Sequence, residues 1–227
     1  SPLHPLVNNY VISIVDEVVK KYEFDGVFLD YLRYQDYYYG YNIEGIDEFE
    51  NLHGINPQDI HRGIVSRNFG YNKSETDSIK LVWDQFKSNK ITELLVAINN
   101  SYLYNNIEIG VSAVSDPQES KERWYQDWGL WLDNDIVDYI VVDYSEFYDF
   151  NNFNYLMKKI SRQINYKNKE KIYFEMSTSD ISLYDISNKI ISMRLNGYEN
   201  LGINYDFMKD TLDWYIPLYE TINFKIK

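Results

Sequence analysis

From Pro5 the apolar positions Val7, Tyr10, Val11, Ile14, Val15, Val18, Val19 and Tyr22 recur every three to four residues. Proline early in the first turn lacks only an N–H that a helix start leaves unbonded, so the spacing predicts a helix of about four turns. The run Asp25-Gly26-Val27-Phe28-Leu29-Asp30 follows, entered through Gly and left through Asp. Short, continuous and apolar, it reads as a strand buried on both faces.

The same alternation continues. Val82, Phe86, Leu94, Leu95 and Ile98 mark a helix over 79–98, with Ser74-x-x-Asp77 resembling a capping box just upstream, and it leads to a strand at Ile107–Ser112. Residues 124–134 read as a helix before the strand Ile136–Asp143. Phe153, Leu156, Met157, Ile160 and Ile164 give a helix before the strand Lys171–Met176. Ile186, Ile190, Ile191 and Met193 give another before the strand Gly197–Asn204, with a closing helix over Phe207–Tyr215. Strands alternating with helices at this spacing mean parallel βαβ units.

Units of this kind, each ending in a polar or acidic residue, suit the carboxyl-terminal part of a TIM (β/α)8 barrel, about strands 4 to 8, as a single domain over 1–227. A whole barrel needs eight units and about 250 residues, so the first three βα units are expected to be absent from this chain, and a missing N-terminal segment is the partner that would complete the barrel. A doubly wound sheet is the alternative, weakened because no G-x-G-x-x-G or G-x-x-x-x-G-K-[ST] turn occurs. The stretch 35–77, containing Tyr37-Tyr38-Tyr39-Gly40-Tyr41, reads as one long loop just after the first strand. Loops that long in a compact domain are usually functional or disordered.

Composition narrows the chemistry. The chain has 227 residues, no cysteine, 22 Lys+Arg against 35 Asp+Glu, a formal charge of −13, and 23 tyrosines. Without cysteine there is no disulfide, thiolate metal site or cysteine nucleophile. The negative charge repels phosphate backbones and anionic lipid heads, which excludes nucleic acid and membrane surfaces as expected partners. No apolar run spans a bilayer, and the opening Ser-Pro-Leu-His-Pro has no basic segment leading into an apolar one, so neither anchor nor signal peptide is expected in this chain. His4, His53 and His61 lack zinc-site spacing, and Ser112 follows no G-x-S-x-G elbow; neither metal nor other cofactor is expected.

Asp25-Gly26-Val27-Phe28-Leu29-Asp30-Tyr31-Leu32-Arg33-Tyr34 resembles the DG-[IV]-H-[LF]-D-Y-x-R-Y motif of the glycosyl-hydrolase-like family 10. Phe69-Gly70-Tyr71 and Trp83-Asp84-Gln85-Phe86-Lys87 match its F-G-Y and W-x-x-[WF]-[RK] patterns. Gly110-Val111-Ser112 matches its G-[VI]-S strand, and Tyr125-Gln126-Asp127-Trp128 through Val137-Asp138-Tyr139 matches its Y-Q-D-W…[VW]-D-Y run. The chain departs from the family in Phe28, where a His is usual, in Ala113, where Pro is usual, and in Val142-Asp143-Tyr144-Ser145. The resemblance covers most of residues 4 to 145. It implies a bacterial cell-surface or extracellular TIM-barrel protein acting on cell-wall or other β-linked glycans, with our first strand as the family's fourth.

Glycoside cleavage needs a proton donor to the leaving oxygen and a second carboxylate that attacks or activates water. Asp30 ends a strand with Arg33 close in sequence, and Asp143 and Glu175 end or nearly end later strands, so all three are catalytic candidates at the mouth of a barrel. Flat aromatic rings stack on sugar C–H faces. Tyr31, Tyr34, Trp124, Tyr125, Trp128, Tyr144 and Tyr205, with Arg33, Ser112 and Asn204, are the expected substrate contacts for an oligo- or polysaccharide; Trp131 is expected in the core. The competing expectation is an inactive glycan-binding or structural half-barrel, since a piece missing three strands would expose two sheet edges.

Overall fold

The computed structural model describes residues 1–102, 107–143, 150–177, 182–204 and 222. The closing helix expected over 207–215 lies outside them. The chain packs as two units, one of Ser1–Val27, Leu32–Glu108 and Gln118–Asp127, the other of Phe28–Tyr31, Ile109–Pro117 and Trp128–Lys227.

The first unit opens with helix α1 (Pro5–Tyr22), capped where the His4 ring accepts from the Leu6 N–H. Only Val15 and Val19 of its apolar stripe are buried; Tyr10 and Ile14 are exposed. The expected loop at 35–77 carries three short helices, α2 (Ile43–His53), α3 (Pro57–His61) and α4 (Val65–Phe69), before the long α5 (Lys73–Tyr102). Their boundaries are local chemistry. Asn56 caps α3 by accepting from the Gln58 N–H ahead of Pro57, while Gly54 and Gly70 close α2 and α4 at positive φ. A capping box does start α5, two residues earlier than expected: the Asn72 and Glu75 side chains accept from each other's backbone N–H at 3.0 and 2.8 Å. Trp83 on α5 packs edge-on to Phe49 at 4.9 Å and stacks on Phe86, so the supposed loop is folded onto α5 as a small helical core.

Strands β1 (Gly26–Leu29), β2 (Glu108–Val114), β3 (Tyr139–Asp143), β4 (Ile172–Ser177) and β5 (Asn200–Asn204) form one sheet in chain order. The pairs β2–β3, β3–β4 and β4–β5 are parallel. Helices α6 (Pro117–Arg123) and α7 (Trp128–Asp133) follow β2, α8 (Phe150–Gln163) follows β3, and α9 (Leu183–Leu195) follows β4. The helix expected over 124–134 therefore starts only at Trp128, because Tyr125 stands at φ 59°, a left-handed value that a helix cannot accommodate, and α6 ahead of it was not expected.

The two sheet faces differ. Ile109, Val111, Ala113, Ile140, Val142, Ile172, Phe174 and Met176 are buried with the Trp131, Met157 and Ile190 of the helices. The alternate positions, Ser112, Tyr139, Val141, Asp143, Tyr173, Glu175 and Gly202, remain half-buried or exposed. Phe28 is 44% exposed, so β1 is not the doubly buried strand its run of apolar residues suggests. The reason is positional: Phe28 shares the open face with Tyr139, the two rings stacking at 6.3 Å.

Gly110 makes room for that stack. It pairs in register with Tyr139, and an added Cβ would overlap the Tyr139 ring. Gly110→Ala should therefore cost about 1–2 kcal/mol, read as a lowered thermal midpoint, because Tyr139 must leave its place between Phe28 and Tyr173. An unchanged midpoint would mean that the ring swings aside freely.

Candidate active site

The open face of the second unit carries the three candidate carboxylates. Asp30 follows β1 directly and is exposed. Its Oδ1 accepts from the Tyr31 N–H at 2.9 Å, and the same N–H reaches the Ser112 Oγ at 3.0 Å. Tyr31 is held at φ 54°, a strained conformation for a residue with a Cβ, of the kind that persists where surrounding bonds impose it. The turn thereby fixes the Asp30 carboxylate, and Ser112 enters as the acceptor that holds the turn. Tyr31 itself is 70% exposed.

Asp143 and Glu175 are partners in the β3–β4 register, with Gly202 next in the row and Val114 before it. Paired residues of neighbouring parallel strands point to the same face, about 4.8 Å apart. Burial pushes the Glu175 carboxyl above its ordinary value, and repulsion from Asp143 and then Asp30 pushes it further. Asn204 ends β5, exposed and in register with Ser177.

Beside the carboxylates lies an aromatic band. Tyr139 stacks on Phe28 and meets Tyr173 edge-on at 5.4 Å. Neither Phe28 nor Tyr139 was among the expected substrate contacts, although their even spacing from Asp30 and Asp143 places them on the same face of the strand.

Several expected substrate contacts fall elsewhere. Trp128 is 1% exposed in the core of the second unit, its ring closed to any ligand. Tyr144 and Tyr205 lie outside the described residues. Within the first unit, Tyr34 and Tyr125 are 3% and 1% exposed and meet edge-to-face at 5.2 Å. Both have polar partners for their hydroxyls and serve as packing. Arg33 and Trp124 are half-buried, with the guanidinium 4.5 Å from the indole centroid. Among the described residues no group of three or more His, Asp or Glu is arranged to hold a metal ion, and none of the helices could cross a membrane.

The family model described as Glycosyl hydrolase-like 10 matches residues 1–182. A search of curated protein sequences finds no match. Among solved structures, the glycoside hydrolase domain of PgaB (BpsB) from Bordetella bronchiseptica superposes with a TM-score of 0.66 at 15% identity, covering 100% of this chain and 64% of that one. At that identity the likeness is one of fold, and the chain spans 64% of the length of the structure it matches.

Proposed function

The chain belongs to the glycosyl hydrolase-like 10 family, and on that premise we propose that it is a glycoside hydrolase of a bacterial cell-wall or other β-linked polysaccharide, built on an arc of a (β/α)8 barrel. The observation that carries this reading is the placement of Asp30, Asp143 and Glu175 on one open sheet face, with Glu175 raised by burial and by the other two. Two carboxyl groups whose environments separate their protonation states are what glycoside cleavage requires. Glu175, the one biased toward the neutral form, is the proton donor to the leaving oxygen. Asp30, oriented by the Tyr31 N–H, is the nucleophile or the base that activates water, and Asp143 adds negative charge that favours an oxocarbenium-like transition state.

The substrate follows from the surroundings. Phe28, Tyr31, Tyr139 and Tyr173 offer ring faces and hydroxyls to a sugar, with Asn204 as a further polar contact. Arg33 and Trp124 are proposed as the binding pair of the first unit. A chain of charge −13 favours neutral or cationic polymers over polyanions, and an extracellular or cell-surface location suits such a substrate.

The test is incubation with peptidoglycan glycan strands, cellopentaose and laminaripentaose, read as new reducing ends. Turnover on one of them supports the reading. Binding without turnover, unaffected by Asp30→Asn, would make the chain a glycan-binding module instead.

A further inference from the structure

In the first unit a lysine is buried where burial is costly. Lys87 of α5 is 1% exposed. Its Nζ donates to the Tyr125 hydroxyl and to the Tyr37 carbonyl at 3.3 Å, and lies 3.4 Å from the Asp84 carboxylate. The Tyr125 ring centroid is 3.8 Å from the ammonium, with the rings of Trp83 and Tyr41 at 5.5 and 5.8 Å. Lysine on a helix face normally keeps its charge in water. Here burial pulls the amine down to about 8 against the attraction of Asp84. A methionine would fill similar volume without desolvating a charge, so stability alone does not account for the residue.

Its partners outside α5 do. They belong to two segments, Leu32–Tyr41 and Trp124–Gln126. In the first, the Tyr34 hydroxyl donates to the Lys87 carbonyl at 3.4 Å. Gly40, at φ 97°, rests on the Lys87 stem and the Tyr34 ring, where a Cβ would come within 3.1 and 2.8 Å. In the second, the Tyr125 carbonyl accepts from the Ser88 Oγ at 3.3 Å and its hydroxyl donates to Asp84 at 2.9 Å. Those bonds hold Tyr125 in its left-handed conformation. The segments are also tied to each other: the Tyr34 N–H donates to the Trp124 carbonyl at 3.3 Å, and the Gln126 amide to the Leu32 carbonyl at 3.1 Å. Between these ties sit Arg33 and Trp124, stacked.

We propose that Lys87 is a positioning residue, clamping Leu32–Tyr41 and Trp124–Gln126 against α5 so that Arg33 and Trp124 present one fixed cation-on-indole surface to the glycan. The binding half rests on the function proposed above; the clamping half does not. Without the ammonium, the Tyr37 carbonyl and the Tyr125 hydroxyl each lose a donor, and both segments gain freedom while the helix beneath them stays formed.

Lys87→Met in the full chain is the test, read by segment-resolved amide hydrogen exchange and by steady-state kinetics on whichever of the three glycans the wild type cleaves. Exchange should speed up roughly tenfold in the two segments and stay unchanged in β2–β4. KM should rise roughly tenfold with kcat within about twofold, since binding geometry is lost and the carboxylates are untouched. Lys87→Arg, which keeps a buried donor and charge, should restore both. Uniformly faster exchange, no change in exchange, or an unchanged KM beside faster exchange would each overturn the proposal. Should Lys87→Met fail to fold, Tyr125→Phe removes the hydroxyl that receives the ammonium and is read the same way. If the wild type neither cleaves nor binds any of the glycans, the functional reading fails, and the exchange result still decides whether Lys87 is the clamp.

Discussion

Asp30→Asn should reduce kcat/KM by at least about 10³-fold, roughly 4 kcal/mol of transition-state stabilisation, while leaving the fold intact. The substitution is close to isosteric. The Asn Oδ1 can still accept from the Tyr31 N–H, as Asp30 does at 2.9 Å, so the strained turn at Tyr31 keeps its restraint. Asp30 is exposed, and no buried charge is stranded by removing its own. What disappears is the anion that attacks the anomeric carbon or activates water. A second effect comes with it: Asp30 is one of the charges that raise Glu175, so the basic limb of any residual activity, set by loss of the Glu175 proton, should move toward lower pH. Full activity in Asp30→Asn, with unchanged thermal stability, would remove Asp30 from the mechanism and leave Asp143 and Glu175 to supply both carboxylates.

The residues that make this prediction possible were legible because aliphatic runs ending in an acid are unambiguous in βα alternation. Asp143 is the last residue of β3 and Asp30 the first beyond β1, as the runs Ile136–Asp143 and Asp25–Asp30 suggest. Burial was less legible. The same apolar letters in Val27-Phe28-Leu29 describe a strand covered on both faces or one with an open face, and only the neighbour of Phe28, Tyr139, decides between them. Short helices are hidden for a different reason. Five residues such as Pro57–His61 show no periodicity, and their starts depend on one Asn side chain. The aromatic residues illustrate the opposite error: Tyr34, Tyr125 and Trp128 occur in motif-like runs near strand ends, yet lie in the cores; the two tyrosines fold inward because their hydroxyls find partners there. Lys87 was invisible as a buried group, since a lysine on a long polar helix is ordinarily solvated.

Glu175→Gln should separate activity from stability. Activity on an unactivated glycan should fall about 10²–10⁴-fold, since Glu175 is the carboxyl that burial and its neighbours bias toward the protonated form needed by the leaving oxygen. A glycoside with an acidic leaving group such as nitrophenol should be largely spared, because that oxygen departs without a proton. Stability should move the other way. A carboxyl whose value is raised in the fold binds its proton more tightly there than in the unfolded chain. Its contribution is therefore fully present below the unfolded value of 4.5 and is lost as pH rises through the folded one. Above its folded value the ionised Glu175 is a half-buried anion facing Asp143 and Asp30, and the amide relieves that repulsion. The variant should gain about 0.5–1 kcal/mol at pH 7, the gain kept modest by solvent screening. Near pH 4 the gain should vanish, because the native carboxyl is then neutral as well. Thermal midpoints of the two proteins measured from pH 4 to 8 test this: curves that diverge with rising pH support a strained acid. Parallel curves, or a spared rate on the unactivated glycan, would place the proton donor elsewhere.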